Sequence, residues 1–154
     1  MAEEMGAIVI DYLNRAATCV KQAEDCLRRG DYSTSVLRSG EAVEFALKAA
    51  LRLVGQTYDR KHDVSAALAE SFQSFLPWFK DRVPRFRSLS RIFTSLSLDA
   101  KYGDEILGAP PKALFFESEA RIYLESAREV LNECLKLQRE KESDQLYSRQ
   151  SKIQ

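Results

Sequence analysis

The sequence predicts an all-α fold, an antiparallel up-and-down bundle of four main helices plus a short extra helix. Three observations carry this expectation. Apolar residues recur at spacings of three and four along four long stretches, residues 3–29, 32–54, 85–100 and 112–140. No stretch alternates with the period of two that a half-buried strand needs. The connection at Gly30-Asp31 is very short, so the helices it joins lie side by side and antiparallel.

In the first helix, residues 3–29, the apolar stripe is Ile8, Tyr12, Ala16, Cys19, Ala23 and Leu27. Lys21, Arg28 and Arg29 bring positive charge to its C-terminal half, where the helix dipole favours it. Gly30 suits the position just past that helix, and Asp31 is a good N-cap for the next. The second helix, Tyr32 to Val54, organises the rest. Val36, Gly40, Val43, Leu47, Ala50 and Val54 share one face. Gly40 costs that helix about 1 kcal/mol relative to alanine, and the compensation expected is a neighbouring helix packed close against it. Arg38, Glu41, Glu44 and Lys48 run beside the apolar stripe. Glu44 precedes Lys48 by four residues, the favourable order for an ion pair. Gly55 ends the helix.

A polar stretch, residues 56–61, leads to a third, shorter helix that starts near His62-Asp63. Asp63 is its natural N-cap, Val64, Ala67, Leu68 and Phe72 its buried side, and Pro77 its limit. Phe72, Phe75, Leu76, Trp78, Phe79 and Phe86 make the middle of the chain aromatic-rich, interleaved with Lys80, Arg82, Arg85, Arg87 and Arg91. That mixture can form a single-stranded nucleic-acid surface. The sequence favours the plainer reading, in which the aromatics close a core or a dimer contact and the cations solvate its rim. The fourth helix, about residues 85–100, has Phe86, Leu89, Ile92, Phe93, Leu96 and Ala100 on its apolar face. Ala109-Pro110-Pro111 is a stiff lead into the last, about residues 112–140. Phe116, Ala120, Tyr123, Ala127, Val130, Cys134 and Leu137 line one side of it, broadened by Leu124 and Leu131. Residues 1–140 are thus expected to form a single domain, and the polar tail 141–154 to be frayed or disordered.

At 154 residues one domain is the default. Acidic and basic residues balance at 23 each, so no global field draws nucleic acid or an anionic membrane. No apolar run reaches the roughly 18 residues that span a bilayer, and the start Met1-Ala2-Glu3-Glu4 is acidic where a signal peptide is basic. A cytoplasmic protein is expected. Cys19, Cys26 and Cys134 have no CxxC spacing and read as small buried hydrophobes in a reduced compartment. One histidine and scattered cysteines give no metal-ligand spacing, and no Gly-rich phosphate loop occurs, so neither metal nor cofactor is expected.

Four local matches, in order, resemble the HEPN domain family of small helical bundles. They are Gly30-Asp31-Tyr32; Arg38 followed by Ala42-Val43-Glu44-Phe45-Ala46-Leu47-Lys48-Ala49; Lys61-His62-Asp63; and Ala100-Lys101-Tyr102-Gly103-Asp104. The resemblance covers about residues 10–138. Two departures stand out. Tyrosines that the family often carries two and three residues after the arginine are Gly40 and Glu41 here, and the proline of the fourth segment is Gly103. The resemblance implies a homodimer with a cleft along its interface. Some relatives are metal-independent endoribonucleases that use an arginine followed four to six residues later by a histidine. A guanidinium there stabilises phosphate charge while an imidazole transfers a proton. No arginine precedes His62 at that spacing and no histidine follows Arg121, so the motif is absent. Arg52 and Tyr58 fit a tyrosine variant by count, across Gly55, and read as chance. Other relatives accompany nucleotidyltransferases, in settings related to toxin–antitoxin pairs.

The candidate ligand- or partner-binding residues are Arg38, Glu44, Lys48, His62, Asp63, Lys101, Tyr102 and Asp104. Each has a structural reading beside the functional one: ion pairs on a helix face for the first three, a helix start for His62 and Asp63, and a bundle end for the last three. No residue is assigned as catalytic. The function expected is a non-catalytic homodimeric binding module for a nucleotide, RNA or a nucleotidyltransferase partner. The alternatives are a divergent endoribonuclease using His62 and a purely structural dimerisation domain.

Overall fold

A computed structural model describes residues 2–154, with side chains from Gly6 onward. Met1, part of the acidic start noted above, lies outside them. The order is α1 (Ala2–Arg28), α2 (Tyr32–Leu53), α3 (Ser65–Glu70), α4 (Pro77–Lys80), α5 (Val83–Tyr102) and α6 (Glu117–Ser151). Four helices are long, two are short, and no strand occurs among the described residues.

α2 is the centre, packed against α1, α5 and α6. Its start is capped as its sequence dictates. The Asp31 side chain accepts from Thr34 N, while Gly30 takes a φ of +77° that closes α1. Against α1 it presents small residues. Ser35, Ser39, Ala42, Ala46 and Ala49 face Ala16, Cys19 and Ala23, and all are buried. Ser35 Oγ donates to the Ala23 carbonyl at 2.9 Å, a bond that needs the two backbones close. Gly40 meets α5 instead. A Cβ there would sit 3.0 Å from the Phe93 ring, so the missing side chain is what admits Phe93. The core fills in around Val43, Leu47, Leu51, Leu68, Phe79, Phe86, Leu124, Val130 and Leu137.

Phe75, Phe79 and Phe86 pack in one buried run, tilted and edge-to-face, with ring centroids 4.6 and 5.6 Å apart. The basic residues beside them turn outward. Arg85 of α5 pairs with Glu129 of α6 at 2.8 Å, Arg82 just before α5 lies 3.8 Å from Glu133, and Arg87 donates to the Ser65 carbonyl. The aromatic middle is therefore core with an ionic rim. All three cysteines are buried free thiols, and burial pushes the Cys134 thiol far up, which keeps it protonated.

Several positions differ from the periodic reading. Ile8 and Ile92 are exposed, because Val9, Leu13 and Val20 in α1 and Leu89 in α5 point more directly at the core. The last helix begins at Glu117, not Lys112. Pro111–Ala113 form a separate 3₁₀ turn, and Glu119 Oε1 caps the Phe116 N–H. Phe115 is consequently the buried aromatic, at 4 % exposure, and Phe116 is 69 % exposed. Pro77 does not merely limit the third helix; it opens α4 at the first-turn position where proline fits. Finally, α6 runs on past residue 140 as an exposed helix through Ser151. Residues 141–151 contain no Gly or Pro, and extending an existing helix escapes the cost of nucleating one.

No helix among the described residues is long and apolar enough to cross a membrane.

Candidate functional site

α2 and α5 leave a small, shallow groove of about 60 Å³ between them, open to solvent on one side. The floor follows from the Gly40–Phe93 contact. Where α2 lacks a side chain, Phe93 packs close against Gly40, and Val36, Leu37, Val43 and Leu96 complete an apolar slot. The rim is polar. Glu41 and Glu44 stand on the α2 side, Thr94, Ser97 and Lys101 on the α5 side, and His62 comes over from the α2–α3 connection.

The rim carboxylates are already engaged. Glu41 accepts from Arg38 Nη1 at 2.7 Å. Glu44 bridges two partners: Oε1 accepts from Lys48 Nζ at 2.7 Å, and Oε2 lies 2.9 Å from His62 Nδ1. A carboxylate only accepts, so Nδ1 carries the proton in this contact, and in the neutral ring Nε2 is left free to accept from a ligand. The Lys48 and Glu44 side chains are only 13 % and 21 % exposed, whereas His62 is 72 % exposed. The inner pair is thus shielded from solvent and the imidazole is presented to it. Lys101 is in no ion pair among the described residues, which leaves an unopposed ammonium at one end of the slot.

The eight residues singled out from sequence divide accordingly. Glu44, His62 and Lys101 line the groove; Lys48 supports it through Glu44 and Arg38 through Glu41. Asp63 is not the N-cap expected from sequence: α3 starts at Ser65 with Val64 at the cap position, so Asp63 stands one residue earlier and faces α3 and α5. Its Oδ1 accepts from Ser65 N at 2.8 Å and from Ser90 Oγ at 3.3 Å, and Ser90 Oγ in turn accepts from Val64 N. Tyr102 is 60 % exposed at the end of α5, outside the groove lining. Asp104 closes the turn that follows. Sequence reasoning placed Glu41 on the charged stripe without making it a site candidate, and passed over Thr94 and Ser97, whose neighbours across the groove are remote in the chain. It also passed over Arg52 and Tyr58, set aside as a chance spacing. Arg52 Nε donates to the Tyr58 hydroxyl at 2.8 Å, with the guanidinium between the Tyr58 and Tyr12 rings. That contact pins the 56–61 connection against α2 and so holds His62 in reach of Glu44.

Asp63 gives a pH prediction. Burial pushes its carboxyl up, but the hydrogen bonds from Ser65 and Ser90 outweigh this and hold it below its ordinary value. A depressed folded-state pKa stabilises above the unfolded value near 3.9, and the contribution disappears as pH falls through the lowered one. Asp63→Ala removes the acceptor of two hydrogen bonds and is expected to cost about 1 kcal/mol at pH 7. The difference from wild type should shrink in urea melts as pH falls through the lowered pKa; a deficit that does not shrink in acid would mean that the carboxylate is not what holds this helix start.

An all-α bundle with a paired Glu–Lys on its central helix, a histidine at the start of the third and a polar-rimmed groove defines the class. A family model for the HEPN domain matches residues 9–138, and the chain belongs to the HEPN family. No curated protein and no solved structure matches it significantly.

Proposed function

We propose that this chain is a non-catalytic HEPN binding module that works as a homodimer and takes a nucleotide in the groove between α2 and α5. The observation that supports this most directly is the unopposed Lys101 beside an apolar slot whose carboxylates are held in place by their own cations. A planar base suits the floor formed by Phe93 and the Gly40 backbone. A phosphate suits Lys101, and ribose or base N–H and O–H groups find acceptors in Glu41 and Glu44. Catalysis is not assigned, because the chain lacks the family's Arg-x4–6-His motif. A nucleotidyltransferase chain is the partner that would share such a ligand.

Calorimetry with ATP, GTP, CTP and UTP tests the groove. At least one should bind, and Lys101→Glu should weaken it tenfold or more, which is about 1.4 kcal/mol; silence from all four would remove the nucleotide reading. Light scattering should give about twice 17.5 kDa, and a monomer at micromolar concentration would remove the dimer. Cleavage of structured RNA that disappears in His62→Ala would replace the binding module with a ribonuclease.

A further inference from the structure

The connection between α5 and α6 displays two apolar side chains with no cover. Ile106 is 96 % and Leu107 80 % exposed, more than the other large apolar residues flanking this connection. Isolated exposed leucines are ordinary, but these two sit on a turn that cannot fold them away. Asp104 N donates to Ala109 O and Ala109 N to Asp104 O, both at 2.9 Å, and Asp104 Oδ1 accepts from Leu107 N at 2.9 Å. Gly103 and Gly108 take φ values of +70° and +68° at the two ends. The base is anchored by Phe115, buried with Val36, Ala100 and Ala120. The charge around the tip is acidic. Within the turn Asp104–Ala109 the charged residues are Asp104 and Glu105, and Lys101 and Lys112 lie outside it on either side.

We propose that the turn Asp104–Ala109 is a docking knob for a separate protein chain that carries an apolar pocket ringed by lysine or arginine. Preorganisation is the physical reason. A turn already fixed in one shape loses little conformational entropy on binding, so the burial of Ile106 and Leu107 is retained as affinity. Charge selects the partner. A second copy of this chain would set the same carboxylates against each other across a two-fold axis, whereas a basic rim complements them. This reading does not involve the groove and stands whether or not a nucleotide binds there.

The test uses the full chain, immobilised, and a display library of random 12-residue peptides. Enriched peptides should combine apolar residues with Lys or Arg. They should bind the double variant Ile106→Asp, Leu107→Asp at least tenfold more weakly, while its melting temperature stays at the wild-type value, because both side chains are exposed. An absence of enriched peptides, or peptides that bind the double variant equally well, overturns the proposal. So does a wild-type dimer that the double variant splits, since the knob would then be covered by a second copy.

Discussion

Phe79→Ala is expected to destabilise the fold by about 3–5 kcal/mol and to lower the melting temperature by on the order of 10 °C. Phe79 is fully buried and among the largest side chains with no exposure. It is also the one buried residue of α4, a helix of four residues. A helix that short has no stability of its own; what fixes it is the ring of Phe79 between Phe75, Trp78 and Phe86. Removing that ring leaves a cavity and also unties the segment that joins α3 to α5. The comparison is Trp78→Ala. Trp78 is half-buried, with Nε1 donating to Glu140 and Lys136 stacked 4.1 Å from the ring centroid. Its loss removes surface contacts without opening the core, so a smaller deficit is expected. Denaturant melts of both variants check the order. A deficit under 1 kcal/mol for Phe79→Ala would mean that residues 71–82 are not docked as described.

What the sequence disclosed and what it withheld follow from the range of each interaction. The long helices were legible because apolar spacing is local. The caps were legible for the same reason: Asp31 and Gly30 act within four residues of themselves. Gly40 was legible as a close approach, since a glycine mid-helix needs a reason, but nothing local named Phe93 as the neighbour. Errors fell where two residues compete for one place. Phe115 and Phe116 are equally apolar, and only the 3₁₀ turn at Pro111–Ala113, which sets where α6 begins, decides which is buried. Ile8 and Ile92 lie at the edges of wide stripes, where periodicity cannot separate the core from its border. The groove was half legible. Glu44 and Lys48 declare themselves four apart, whereas His62 reaches Glu44 across 18 residues, through a connection positioned by Arg52 and Tyr58. Their spacing was visible in the chain and their contact was not.

Gly103→Ala is expected to cost at least about 2 kcal/mol and to open the α5–α6 turn. Gly103 sits at φ +70°, ψ −162°, a region that residues with a Cβ essentially never occupy. Its surroundings forbid one as well. A Cβ would lie 2.1 Å from the carbonyl oxygen of Ala109 and 2.9 Å from the backbone of Pro110 and Pro111. That oxygen accepts from Asp104 N, so it cannot retreat without breaking the bridge that closes the turn. Relief of the clash therefore requires the turn to swing out, and with it the anchor of Phe115 on Val36 and Ala100. The same geometry explains the departure from the family's common segment. Proline is fixed near φ −65° and cannot adopt this conformation, so a chain with proline there must leave α5 along a different path. Amide exchange at Asp104, Leu107 and Ala109 would report the opening directly, alongside a lower melting temperature. Wild-type protection at those three amides in Gly103→Ala would show that the turn is not held by this glycine. The docking knob would then lose its claim to be preorganised, while the bundle and its groove would be unaffected.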